Sequence, residues 1–182
     1  MVVLGRIYGK RVRKQWLQRV NGIRRAGVAI LMYHRVCDAA SDPWGLCVSR
    51  AHFNEHMEHL RRHCAVLSLR KLIALLVAGR LPKRAVVLTF DDGYADNLWN
   101  AKPILERFEL PATFFVASGY VGQTCEFWWD ELGRLLLQAR TLPGTLNVRL
   151  NGRLYEWMLG GGGHLYRRRL SPPRLLESGG QE

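Results

Sequence analysis

The chain has 182 residues, of which 48% are hydrophobic and 23% charged, enough apolar content for a buried core and too much for wholesale disorder. No run approaches the roughly 18 uninterrupted apolar residues that a membrane span needs. The net charge of +12 is concentrated at the ends: residues 1–37 hold nine basic and no acidic side chains, whereas residues 38–137 hold 11 basic and 12 acidic ones. A nucleic-acid binder built around a basic groove carries that charge through its folded middle, so nucleic acid is not an expected partner.

Residues 1–27 read as a basic arm. Arg6, Lys10, Arg11, Arg13 and Lys14 interrupt any apolar segment before it reaches signal-peptide length. Such an arm is either simply solvated or, with Trp16, Leu17, Val20 and Ile23 at helical spacing beside the charges, a peripheral contact for anionic lipid or phosphate. The four cysteines, Cys37, Cys47, Cys64 and Cys125, form no Cys-x-x-Cys pair and suit a reducing compartment better than a disulfide-stapled secreted domain. The expected location is cytoplasmic or peripheral to a membrane.

Val28 to Tyr33 is a short apolar run, predicted to be a strand buried on both faces. Ser49 is placed to cap a helix over about residues 50–64, with Phe53, Met57, Leu60 and Cys64 as its apolar stripe. Ser68 is placed to cap a second helix ending near Gly79, with Leu69, Leu72, Ile73 and Leu76 facing inward. Ala85 to Phe90 is the clearest strand. A helix over about 95–107 follows, entered late or bent because Pro103 lies inside the pattern. Ala112 to Ala117 reads as another strand apolar on both faces, and Trp128 to Arg140 as a helix. Asn151-Gly152 between two alternating runs predicts a hairpin, and residues 160–182, rich in Gly, Arg and Pro, read as a disordered tail. Strands alternating with helices indicate an α/β fold with a parallel sheet, whose ligands bind beyond the carboxyl ends of the strands.

The sharpest segment lies at such an end. In Leu88-Thr89-Phe90-Asp91-Asp92-Gly93-Tyr94, two carboxylates close an apolar strand and a glycine turns the backbone. Spacing alone serves equally a strand closed by a polar turn, since Asp-Gly is a common turn dipeptide. His34 ends its own strand, where a hydrogen-bonded structural histidine is the simpler reading. His52, His56, His59 and His63 form a stripe on the first helix, read as a solvated face with at most adventitious metal affinity. Trp128 and Trp129 suit either stacking on a sugar ring or packing at a helix start.

Thr89-Phe90-Asp91-Asp92-Gly93-Tyr94 with Asp96-Asn97, the following Pro111-Ala112-Thr113-Phe114-Phe115-Val116, the opening Met32-Tyr33-His34-Arg35-Val36 and the later Phe127-Trp128-Trp129-Asp130-Glu131-Leu132 together resemble the polysaccharide deacetylases, the NodB-homology or carbohydrate esterase family 4 enzymes. The resemblance covers roughly residues 28–159. It implies a deformed (β/α) barrel, present here as an incomplete copy, and hydrolysis of N-acetyl or O-acetyl groups on an acetylated saccharide. It also implies roles: Asp91 as general base, Asp92 as ligand to a divalent metal, most often zinc, and His34 as general acid. The family's second metal motif, His-(Ser/Thr)-x-x-His-Pro, has no counterpart, because the one histidine after Asp92 is His164. One carboxylate does not hold a catalytic zinc, which needs about three protein ligands. Two rival readings follow, a non-catalytic remnant or carbohydrate-binding fragment, and a lipid or nucleic-acid binder acting through the basic arm.

Overall fold

The computed structural model describes residues 2–4, 27–138, 143–158 and 174–176. It divides into two compact units, Met1–Gln123 and Thr124–Glu182, a boundary inside the segment 28–159 that the sequence suggests as one domain. Most of the basic arm, including Trp16 to Ile23, lies outside the described residues, as does His164.

The first unit is built on a parallel sheet. Its centre is β6 (Ala85–Phe90), buried along its whole length. β2 (Val28–Tyr33) pairs with β6 from Val28↔Ala85 to Tyr33↔Phe90, and β1 (Val2–Leu4) pairs with the outer edge of β2. The opposite edge of β6 is shared: β5 (Ala65–Val66) pairs with its first residues and β7 (Ala112–Phe114) with its last. A two-stranded parallel ribbon, β3 (Arg35–Val36) with β4 (Cys47–Val48), continues beyond β2.

Strand alternation sorts the core into two layers. Ala29, Leu31 and Tyr33 share a face with Val86, Leu88 and Phe90, and this face packs on α1 (Arg50–His63) through Phe53, Met57 and Leu60, and on α3 (Lys102–Arg107) through Leu105. Val28, Ala85 and Val87 occupy the other face and pack with Leu72 of α2 (Leu69–Val77). Ser49 and Ser68 cap their helices as their positions predict, accepting from the backbone N–H of His52 and Lys71.

Four expectations need correction. The buried face of α2 is Leu72 with Leu69 and Leu75 packed beside it, whereas Ile73 and Leu76 are 55% and 59% exposed. Nearly every residue of α2 is apolar, so its own periodicity does not decide which stripe meets the sheet. β7 is three residues long and is not buried on both faces: Phe114 at its end and Phe115 and Val116 beyond it are exposed. The histidine stripe is not a solvated face throughout, since His56 is 3% exposed. It lies between the buried Phe53, Met57 and Leu60 on the helix surface and is hydrogen-bonded to the Tyr33 hydroxyl, 3.2 Å from Nδ1. In the stretch read as a disordered tail, Arg174–Leu176 forms a strand, β10, against the hairpin described below. Pro103 produces the bent entry its position suggests: a π-helical segment, Asn97–Ala101, precedes α3, with Lys102 N–H donating back five residues to the Asn97 carbonyl.

Burial, with the nearby His52 and His59 as lesser causes, lowers the His56 pKa from 6.5 to about 3, so the folded chain holds it neutral. As pH falls from 6.5 toward about 3, the unfolded chain takes up a proton that the folded chain refuses, and stability declines. Unfolding measured from pH 7 to pH 4 will show this decline, on the order of a few kcal/mol, and His56→Gln will flatten it. Equal slopes in the two proteins would show that His56 contributes nothing to acid sensitivity.

In the second unit α4 (Trp128–Leu137) ends a few residues before the Arg140 boundary suggested by the sequence and buries no residue fully. Residues 139–142 lie outside the described residues. The hairpin of β8 (Thr145–Leu150) and β9 (Arg153–Met158) turns at Asn151 and Gly152, both at positive φ, as the Asn-Gly pair predicts.

Candidate active site at the carboxyl edge of the sheet

The β2–β6 ladder runs one step past the strands, with Asp91 N–H donating to the Tyr33 carbonyl at 2.9 Å. His34 and Asp91 therefore follow Tyr33 and Phe90 on neighbouring chains about 4.8 Å apart. Both fall on the strand face that α2 covers only at its amino-terminal end. Here the structure brings together two residues 57 positions apart in sequence. Both are half-buried, as is Asp92.

Alternation ends at the second aspartate. Asp92 has φ +72° and Gly93 φ +80°, so the chain turns through the left-handed region at two successive residues. Aspartate tolerates that conformation, but at position 93 glycine is needed for a second reason as well. A Cβ there would lie 2.9 Å from Val116 Cγ1 and 3.3 Å from Val116 Cα. The turn is tied to β7 by Phe115 N–H donating to the Phe90 carbonyl at 2.7 Å and Ala117 N–H to the Asp92 carbonyl at 3.3 Å. The aspartate pair is thus held between the ends of β2 and β7.

A clamp that the sequence does not reveal braces the His34 side. One Asp96 oxygen accepts from Arg35 Nε at 2.9 Å and the other from Val36 N–H at 3.0 Å. Asn100 Nδ2 donates to the Val36 carbonyl at 2.8 Å, and the Arg35 guanidinium lies 4.4 Å from the centre of the Tyr94 ring. Half-burial works against the Arg35 charge, but the Asp96 hydrogen bond and charge outweigh it and raise the Arg35 pKa. These residues are about 60 apart in sequence, and no local pattern links them.

The donor set does not fit a zinc centre. Among the described residues no three His, Cys, Asp or Glu side chains converge to hold a metal ion, and this includes the stripe on α1. His59 and His63 there lie ring to ring at 4.5 Å. Trp128 and Trp129 belong to the second unit, where Trp129 meets Trp128 edge-on and stacks on Phe127 at 4.6 Å, while Trp128 is 61% exposed.

Residues 78–139 match the family model described as polysaccharide deacetylase. The chain carries part of a polysaccharide deacetylase domain. Over 77 residues the chain is 36% identical to a poly-beta-1,6-N-acetyl-D-glucosamine N-deacetylase of Staphylococcus aureus, covering 42% of this chain and 27% of that protein. The chain therefore spans about a quarter of the length of that curated relative. A de-N-acetylase from Aggregatibacter actinomycetemcomitans superposes with a TM-score of 0.50 at 24% identity, covering 68% of this chain and 58% of that one. IcaB from Ammonifex degensii superposes at 0.49 with 30% identity, over 55% and 42% of the two chains. The Aggregatibacter likeness shows a shared α/β fold over 68% of this chain.

Proposed function

We propose that the chain supplies the strand-end part of a sugar N-deacetylase centre, on a sheet that forms the opening portion of a deformed (β/α) barrel. Asp91 is the general base, His34 the general acid, and Asp92 one protein ligand to a divalent metal, zinc by family resemblance. The substrate is an N-acetylated saccharide polymer of the kind named for the Staphylococcus aureus relative. The observation that supports this most is the ladder bond from Asp91 N–H to the Tyr33 carbonyl, because it makes His34 and Asp91 neighbours at the edge where α/β folds bind ligands.

Amide hydrolysis needs a proton removed from the attacking water and a proton delivered to the departing amine. A carboxylate and an imidazole side by side serve those two steps. Among the described residues no three metal donors converge, so no step through a metal is assigned to this chain. A second reading, saccharide binding without catalysis, is favoured by that same incomplete donor set.

The test is to exchange residues 28–139 for the corresponding part of the Staphylococcus aureus enzyme and assay acetate release. Activity should survive the exchange, and His34→Ala should then lower the rate on acetylated sugar about a hundredfold to ten-thousandfold. The loss should shrink for an activated aryl acetate, whose leaving group needs no proton. An unchanged rate on acetylated sugar would make His34 structural, and a folded, metal-loaded but inactive exchange would favour the binding reading.

A further inference from the structure

The thiols of Cys37 and Cys47 are 3.2 Å apart, Sγ to Sγ, on the β3–β4 ribbon. Both residues are half-buried, and neither is in a disulfide. The backbone fixes them in place. Arg35 N–H donates to the Leu46 carbonyl at 3.1 Å, and Cys37 N–H to the Val48 carbonyl at 3.0 Å. The Asp42 carboxylate accepts from the N–H groups of Leu46 and Cys47 at 2.8 and 3.1 Å, closing the turn that delivers Cys47. A disulfide needs sulfurs about 2.05 Å apart, so an approach of roughly 1 Å completes the bond. The Arg35 guanidinium interacts electrostatically with both sulfurs, and its positive charge disfavours a bound cation there.

We propose that Cys37 and Cys47 form a redox site, a dithiol that closes reversibly to a disulfide by exchange with a small-molecule disulfide. The Cys37 thiolate attacks one sulfur of that disulfide, forming a mixed disulfide and releasing one small thiol. The Cys47 thiolate then attacks Cys37 Sγ, and the second small thiol leaves. The protein loses two electrons and two protons, and the small disulfide gains both as two thiols. Burial, with the Cys37 hydrogen bond next, pushes the Cys47 thiol up, consistent with its reacting second, as an internal nucleophile. Closure ties β3 covalently to β4 three residues beyond His34. The bond is therefore a clasp on the strand end that holds the proposed acid.

The full chain, reduced and desalted, is incubated with a mixture of oxidised and reduced glutathione, quenched in acid and alkylated. Trypsin leaves both cysteines in one peptide, Val36 to Arg50, because no Lys or Arg lies between. That peptide should resist alkylation and be about 2 Da lighter than its reduced form, while Cys64 and Cys125 remain alkylatable or carry single glutathione adducts. Closure should be at least about tenfold more favoured in the folded protein than in guanidinium, where only chain proximity operates. Cys47→Ser should accumulate glutathione on Cys37. Independent adducts on Cys37 and Cys47 in the unaltered chain, persistent alkylation of both, or equal closure in guanidinium would overturn the proposal.

Discussion

Asp91→Asn, made in an active enzyme carrying this segment, should keep the metal and lose about a hundredfold to ten-thousandfold of turnover. Asp92→Asn should lose the metal itself. Both substitutions preserve shape, and the backbone bonds of the site, Asp91 N–H to Tyr33 and Ala117 N–H to the Asp92 carbonyl, do not involve the side chains replaced. Asparagine also tolerates the positive φ of position 92. Those backbone bonds are therefore kept in both variants. Metal content and acetate release measured on the same preparations separate the roles, and equal retention of metal by both would contradict the assignment.

What the sequence makes legible here is what is local. The strand Ala85–Phe90 is an unbroken apolar run, and it occupies the centre of the sheet, paired on both edges. Ser49 and Ser68 announce helix starts because a cap acts across three residues. The aspartate pair is visible because it interrupts a strand, and its turn follows from Gly93, the one residue type that fits beside Val116.

What depends on tertiary placement is not legible. Ile73 and Leu76 match Leu72 in hydrophobicity, and only the position of the sheet separates them. His56 looks like its three neighbours on the stripe, yet Tyr33, 23 residues away, draws it into the core. Asp96 belongs to the recognisable motif, but its clamp on Arg35 and Val36 acts across about 60 residues and has no local signature. Cys37 and Cys47, unremarkable by spacing, meet because a short parallel ribbon folds back through Asp42.

The measurement that bears most directly on the central claim is zinc content and acetate release of the purified 182-residue protein, taken together with its circular dichroism. The proposed centre has Asp91, Asp92 and His34 at one sheet edge, yet the described residues bring no three metal donors together, and a catalytic zinc needs about three. A chain with α/β dichroism should therefore hold far less than one zinc and release no acetate from N-acetylglucosamine oligomers. One zinc per folded chain, with turnover that chelation removes and Asp91→Asn abolishes, would contradict the account of an incomplete centre.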